Sequence, residues 1–157
     1  MTTVVADANI LLRLADPASG LHSVAKTAVT HLHAEGEFLC TVPQAGYEFW
    51  VVATRPKANN GLGLSIADCE RELAQVQLAF PVLEDKPTLF SEWQTLVVAH
   101  QCHGKVAHDA RYVAAMRTHG LTHILSFNVP EFARYPGITV LDPTAVAASA
   151  LPAQGSN

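Results

Sequence analysis

Short apolar runs alternate with longer segments of helical periodicity along this chain. Thr3–Ala6 is apolar and partly β-branched, which predicts a strand, and the positions from Asn9 to Leu14 then repeat with the period of a helix. Comparable short apolar runs predict four further strands, at residues 38–42, 81–83, 122–126 and 138–141. Asp7 therefore lies at the carboxyl end of the first predicted strand.

Helices are predicted between these strands. Ser23 is the expected cap of a helix over residues 22–34, Pro43 opens a helix that ends at Arg55, and Ser65 caps a helix over residues 66–79. Residues 57–64 contain two asparagines and two glycines and predict a loop. Further helices are expected over residues 88–102, from a first turn that contains Asp109 to residue 120, and over residues 143–150.

The alternation of strands and helices predicts an α/β fold with a five-stranded parallel sheet that is covered by helices on both faces. In such sheets, ligand sites lie outside the carboxyl ends of the strands, near the point where the strand order reverses. Asp7 and the segment after Ser126 both belong at that edge.

Composition narrows the class of protein. The 157 residues are 49% hydrophobic and 15% charged, which predicts one folded domain over residues 1–157, with residues 144–157 as a terminal helix and a loose tail. The net charge of -4 gives no broad basic surface, so any nucleic acid must be held locally or through a bound metal ion.

Three widely spaced cysteines predict reduced thiols rather than a disulfide framework. The first residues have no basic segment typical of a secretion signal, and no apolar run approaches the roughly 20 residues that a bilayer requires. We therefore expect a protein of the cytoplasm with no membrane association.

The candidate chemistry rests on oxygen-bearing side chains in separate segments. Asp7 and Asn9 follow the first strand, Glu48 lies within an apolar helix, and Asp109 lies near the start of a later helix. Ser126 and Asn128 follow the fourth predicted strand. If they meet at one edge of the sheet, these oxygens would repel one another while the site holds no metal ion. Together they would suit Mg²⁺ or Mn²⁺.

Each of these residues also has an ordinary structural role open to it. Asp7 and Asp109 could cap helices, with the helix dipole favouring the ionised form of Asp109. Glu48 could face solvent, since Gln44 and Arg55 share its helical face. The residues alone leave these alternatives open.

Four segments in order resemble the motifs of PIN-domain nucleases, and most closely those of VapC-like toxins from bacterial toxin–antitoxin pairs. The segments are Asp7-Ala8-Asn9-Ile10-Leu11, Gly46-Tyr47-Glu48-Phe49-Trp50, His108-Asp109-Ala110-Arg111 and Ser126-Phe127-Asn128-Val129-Pro130-Glu131-Phe132. The resemblance extends from about residue 3 to residue 143.

This resemblance implies a three-layer sandwich around a five-stranded parallel sheet and an endoribonuclease that depends on Mg²⁺ or Mn²⁺. It also implies a homodimer and a cognate antitoxin protein that inhibits it. Asp7, Glu48 and Asp109 match the core acids of the family, and Asp7 and Asp109 match its direct metal ligands. Asn128 stands where many relatives have an aspartate, which Glu131 could replace only in part, so a second metal ion is in doubt.

Other residues are candidate contacts to substrate. Arg55, Lys57, Lys105 and Arg111 flank the acids in sequence and could meet phosphates, with solvated surface charge as the alternative. Candidate substrate-binding residues are Asn9, Arg55, His108, Arg111 and Ser126. The histidines near residues 100–103 lack a second ligand pair, which disfavours a zinc site.

Two other functions compete with a nuclease. Asp7 could be the covalent nucleophile of a phosphotransfer enzyme, although Asn9 disfavours the haloacid-dehalogenase type, which requires a second aspartate there. A degenerate nuclease fold could also bind RNA or a protein without cutting.

Overall fold

The computed structural model describes residues 1–150. Four strands form one parallel sheet: β1 (Thr3–Ala6), β2 (Phe38–Cys40), β3 (His123–Leu125) and β4 (Thr139–Leu141), in the order β2-β1-β3-β4. Val4 of β1 is level with Leu39 of β2 and with His123 of β3. The apolar residues of β1 are almost completely buried, as expected for a central parallel strand.

The prediction of a fifth strand was wrong. Residues 81–83 join the sheet only through a parallel bridge between Thr41 and Val82, in which the Thr41 amide donates to the Pro81 carbonyl (3.0 Å) and the Leu83 amide donates to the Thr41 carbonyl (2.9 Å). Pro81 has no N–H to extend the pairing in one direction, which confines this segment to the edge of the sheet.

Eight α-helices flank the sheet, in agreement with the predicted fold class. They are α1 (Ala8–Leu14), α2 (His22–Ala34), α3 (Pro43–Thr54), α4 (Ile66–Ala79), α5 (Leu89–Ala99), α6 (Lys105–Thr118), α7 (Val129–Ala133) and α8 (Pro143–Ala150). A short 3₁₀ turn, Lys57–Asn59, interrupts the loop that follows α3. No helix within residues 1–150 has both the length and the apolar character needed to cross a membrane.

Helix boundaries agree with the sequence where a strong local signal exists. Pro43 occupies the first turn of α3, and the Ser65 hydroxyl accepts a hydrogen bond from the Asp68 amide (3.1 Å) at the start of α4. Ser23 was wrongly predicted as a cap. Helix α2 begins at His22, so Ser23 lies inside the helix and Leu21 occupies the capping position. The predicted loose tail lies mostly outside the described residues.

Asp109 was wrongly placed in the first turn of its helix. Helix α6 begins at Lys105, so Asp109 is its fifth residue. Gly104, with a positive φ of 58°, reverses the chain just before α6 and lets the helix start earlier than the sequence pattern indicated. Asp109 is therefore beyond the end where the helix dipole acts most strongly.

The strand order places the site. The chain adds β2 on one side of β1 and then crosses to add β3 on the other side, so the order reverses at β1. Asp7 directly follows β1 and Ser126 directly follows β3, and the Asp7 amide donates to the Leu125 carbonyl (3.0 Å). Both polar side chains therefore leave the same edge of the sheet at the reversal.

Candidate active site

Asp7 is a buried acid held at the end of β1. Its residue is 7% exposed, and the Ser126 hydroxyl donates to Asp7 Oδ2 at 2.7 Å. Asp7 precedes α1, but its side chain makes no capping hydrogen bond to that helix. Asp7 therefore occupies the N-cap position of α1 without capping it through the side chain, and its carboxylate remains available for other contacts.

Glu48 is turned inward from α3. Its Oε2 accepts a hydrogen bond from the Tyr112 hydroxyl (2.7 Å), and its Oε1 accepts one from Gln44 Nε2 (3.0 Å). His108 Nε2 lies 3.5 Å from the same Oε1. The Glu48 side chain is 28% exposed, so it is not an ordinary solvated acid on the polar face of a helix.

Burial controls the charge state of Asp7. Loss of hydration raises the pKa of the Asp7 carboxyl to about 6, and the negative charge of Glu48 also raises it, while the hydrogen bond from Ser126 opposes both effects. Without a cation, Asp7 therefore ionises against the preference of its surroundings.

The pKa of Asp109 is also raised. Partial burial is the main cause, and the negative charges of Glu131 and Glu48 add to it, while Lys105 acts in the opposite direction. The sequence prediction that the helix dipole favours the charged form is therefore wrong, as expected for an acid in the second turn of α6. Two of the three candidate acids thus share a site with excess negative charge.

One cavity of about 560 Å³ collects the three acids at the carboxyl edge of the sheet. Asp7, Glu48, Asp109, Asn9, Asn128, Arg55, Lys105 and His108 supply its polar lining. Leu12, Tyr47, Val51 and Val52 supply apolar walls. The predicted acids, the amide of Asn128 and three of the predicted contact residues therefore meet in one place.

Ser126 and Arg111, the two other predicted contacts to substrate, do not line this cavity. Ser126 is fully buried outside the cavity lining, where its hydroxyl also accepts from Asn9 Nδ2 (3.2 Å) and from the Asn128 amide (2.9 Å). Arg111 pairs with Asp85 and lines a neighbouring groove. Ser126 thus orients Asp7 rather than facing a substrate.

Tyr112 was missed by the sequence analysis. Its hydroxyl donates to Glu48 and lies 3.4 Å from the Ala8 amide, which donates to it. Burial, and then the adjacent acids, strongly raise the pKa of this phenol, so it remains a hydrogen-bond donor. Its position three residues after Asp109, on the same face of α6, was the available signal.

The donor atoms of this site fit a hard divalent cation. Among residues 1–150, no three His, Cys, Asp or Glu side chains are placed to enclose an ion by themselves. Mg²⁺ commonly binds through one or two carboxylates and keeps several waters, and the carboxylates of Asp7 and Asp109 are ligands of that kind. A cation would also offset the burial and the charge repulsion that raise the pKa of both acids.

The sequence matches no protein-family model and no curated protein. Its structure resembles VapBC2 from Rickettsia felis bound to a DNA fragment from the promoter of this pair, with a TM-score of 0.66 and 11% identity over 89% of this chain and 98% of the other. It also resembles VapC20 from Mycobacterium tuberculosis, a sarcin-ricin loop cleaving toxin, with a TM-score of 0.59 and 19% identity over 83% and 93% of the two chains.

The fold is that of a VapC-like PIN domain. A toxin–antitoxin complex from Klebsiella pneumoniae shares it as well, with a TM-score of 0.58 and 19% identity over 89% of this chain and 97% of that one. At these identities, the likeness shows the fold alone. The chemistry of this chain depends on its own side chains.

Proposed function

We propose that this chain is a metal-dependent endoribonuclease and the toxin of a toxin–antitoxin pair. The observation that carries the proposal is the meeting of Asp7, Glu48 and Asp109 in one cavity at the carboxyl edge of a VapC-like sheet. The raised pKa of Asp7 and of Asp109 supports it, because a site with excess negative charge favours a cation.

Asp7 and Asp109 would hold a Mg²⁺ or Mn²⁺ ion directly, with Asn128 as a neutral neighbour. When bound, such an ion supplies charge neutralisation for a phosphodiester and a lower pKa for water. Glu48 is oriented by Tyr112 and Gln44, so one of its oxygens can accept a proton from a water at the cavity. Asn128 replaces a second negative charge, which favours one ion over two.

Positive side chains at the same cavity suit the phosphates of RNA. Arg55, directly after α3, and Lys105, at the start of α6, line it, and His108 lies against Glu48. In a protein of net charge -4, this local basic rim is the feature that can draw a polyanion towards the acids. Asn9 holds the loop after β3, since its Oδ1 accepts from the Phe127 amide (3.3 Å).

The test is cleavage of labelled RNA with Mg²⁺, with Mn²⁺ and with EDTA, in the native chain and in Asp7→Asn and Asp109→Asn. We expect cutting with either metal, no cutting in EDTA, and a loss of at least about 100-fold in each variant because each removes a ligand charge. Circular dichroism should show that both variants fold.

Four outcomes would contradict the proposal. Cutting that persists in EDTA would exclude the metal, and full activity of either variant would exclude the acids. A stable acyl phosphate on Asp7 would instead identify a phosphotransfer enzyme. RNA binding without any cutting would identify a degenerate, non-catalytic module.

We further propose an antitoxin partner, a homodimer and a cytoplasmic location. A toxin–antitoxin complex among the structural neighbours supports the first. An apolar groove of about 340 Å³ between α3 and α4, which includes Tyr47, Trp50 and Leu73, suits an apolar segment of such a protein. Expression of the chain should arrest growth, and co-expression of its cognate antitoxin should relieve the arrest. Size-exclusion chromatography tests the dimer.

A further inference from the structure

A second concave surface adjoins the candidate active site. It has a volume of about 550 Å³ and lies between the start of α5 and one face of α6. Its lining is formed by Asp85, Lys86, Pro87, Leu89, Phe90, Trp93, His108 and Arg111, and we call it the α5 groove. His108 lines both the α5 groove and the cavity of the acids, so the two spaces are neighbours.

Phe90 presents an aromatic ring to solvent at this groove. The residue is 68% exposed, although it lies in the first turn of a helix whose neighbouring Leu89 is buried. Its ring centroid lies 5.7 Å from that of Trp93. Trp93 is held in place because its Nε1 donates to the Ala107 carbonyl of α6 (2.6 Å). The two rings therefore form an aromatic platform that is fixed on one side and open on the other.

Two basic side chains, Lys86 and Arg111, lie beside the platform and can meet phosphates, while Asp85 offsets part of the charge of Arg111. Arg111 is held by Asp85, with 3.1 Å between Arg111 Nη2 and Asp85 Oδ2, while Lys86 and His108 also line the groove. An aromatic surface beside basic groups is the arrangement by which proteins hold single-stranded nucleic acid, because bases stack on the rings while cations meet the phosphates.

We infer that the α5 groove binds a nucleobase of single-stranded RNA, close to the phosphodiester that is cut in the cavity of Asp7 and Asp109. This inference rests on the proposed function. Sharing of His108 argues for RNA as the occupant, since a strand cut in one space can continue past His108 into the adjoining one. Stacking tolerates any base, so the groove contributes affinity rather than sequence selection.

The test measures binding of a fluorescein-labelled, mixed-sequence, single-stranded RNA in EDTA by anisotropy. Phe90→Ala should weaken binding by about 5- to 100-fold, the effect of losing one stacked base. Phe90→Trp should keep the affinity, whereas Phe90→Leu, which is apolar but has no π-face, should lose it. Phe38→Ala is the matched control, because Phe38 is exposed at the amino end of β2, away from the site edge.

A second measurement uses Trp93 as the reporter. In a Trp50→Phe background Trp93 is the only tryptophan of the chain, and its fluorescence should be quenched by the RNA but not by an abasic ribose-phosphate oligomer of the same length. Quenching that is equal for both oligomers would overturn the inference, because phosphate contact alone would then account for it.

The outcomes separate the groove from the proposed function. Cutting with Mg²⁺ and unchanged RNA affinity in Phe90→Ala would overturn the groove and leave the nuclease. Phe90-dependent binding without cutting would support the groove and remove the nuclease. If Phe90→Leu and the native chain bound the RNA with equal affinity, stacking would be overturned, because an apolar side chain without a π-face would then be sufficient.

Discussion

Substitution of Asp7 by asparagine should stabilise the metal-free protein while it abolishes RNA cutting. Asp7 is 7% exposed and its carboxyl pKa is raised from 3.8 to about 6, chiefly by burial. At neutral pH, the folded chain therefore carries a charge that its surroundings disfavour. Asparagine removes that charge and keeps an oxygen that can accept from Ser126, whose hydroxyl donates to Asp7 in the native chain.

The magnitude follows from the two pKa values. A difference of about two pH units corresponds to about 3 kcal/mol of unfolding free energy, as an upper bound. Because the folded pKa lies above the unfolded one, the folded state binds the proton more tightly. The stabilising contribution of that proton is complete below about pH 4 and is lost as the pH rises through about 6.

The assay is urea unfolding in EDTA at about pH 5 and about pH 7.5. The unfolding free energy of Asp7→Asn should exceed that of the native chain by about 2–3 kcal/mol at the higher pH and by clearly less at the lower pH. Glu70→Gln removes an exposed carboxylate of α4 and should change stability by less than about 0.5 kcal/mol. A native chain that is as stable as Asp7→Asn at both pH values would refute the argument from burial.

Three further predictions concern the site and its supporting loop. Tyr112→Phe should lower kcat about 10-fold with little change in KM, because Glu48 loses a charged hydrogen bond that orients it. Steady-state cleavage of labelled RNA measures both constants, and an equal rise in KM would contradict a positioning role. Mg²⁺ should raise the melting temperature of the native chain but not that of Asp7→Asn, and it should do so more above the pKa of Asp7 than below it, because protons compete for the same oxygens. Gly61→Ala should destabilise the fold by about 1–3 kcal/mol, since a Cβ at that position collides with the Arg55 carbonyl. Gly46→Ala in α3 places its Cβ in open space and should stabilise the fold by up to about 1 kcal/mol. Thermal unfolding of the two variants measures both effects.

The sequence predicted those elements that carry strong local signals. Pro43 and Ser65 fix the starts of α3 and α4 through interactions within a single turn, so no distant contact is needed to infer them. The central strand before Asp7 was equally clear, because a β-branched run that ends in an acid and is followed by a helical pattern is typical of a strand that leads into a helix.

Features that depend on distant contacts could not be predicted. The segment at residues 81–83 has strand-like composition, yet whether it pairs as a strand or as a bridge depends on how the chain returns to Thr41. The start of α6 depends on the positive φ of Gly104, which hydrophobic periodicity does not report.

The candidate site shows the same division between local and distant information. Asp7, Glu48 and Asp109 were selected because they lie in ordered segments that resemble PIN-domain motifs, whereas residue type alone left capping and solvent exposure open. Only for Glu48 did the cost of a carboxylate in an apolar segment add to the argument. Tyr112 could not be selected, since a tyrosine in a buried helix is ordinarily a core residue, and only the fold shows its hydroxyl between Glu48 and Ala8. The position of Arg111 outside the cavity of the acids could likewise be recognised only from the geometry of α6 in the fold.

Helix α6 contributes Asp109, Tyr112 and His108 to the site from one rigid segment, and its inner face is packed through small side chains such as Ala110 and Ala114. A larger residue at either alanine would shift all three functional groups together without touching any of them. A genetic selection for cells that survive expression of this chain should therefore yield substitutions at these two alanines as readily as at the acids. Such survivors would carry folded, full-length protein, and they would mark α6 as the segment whose position sets the activity.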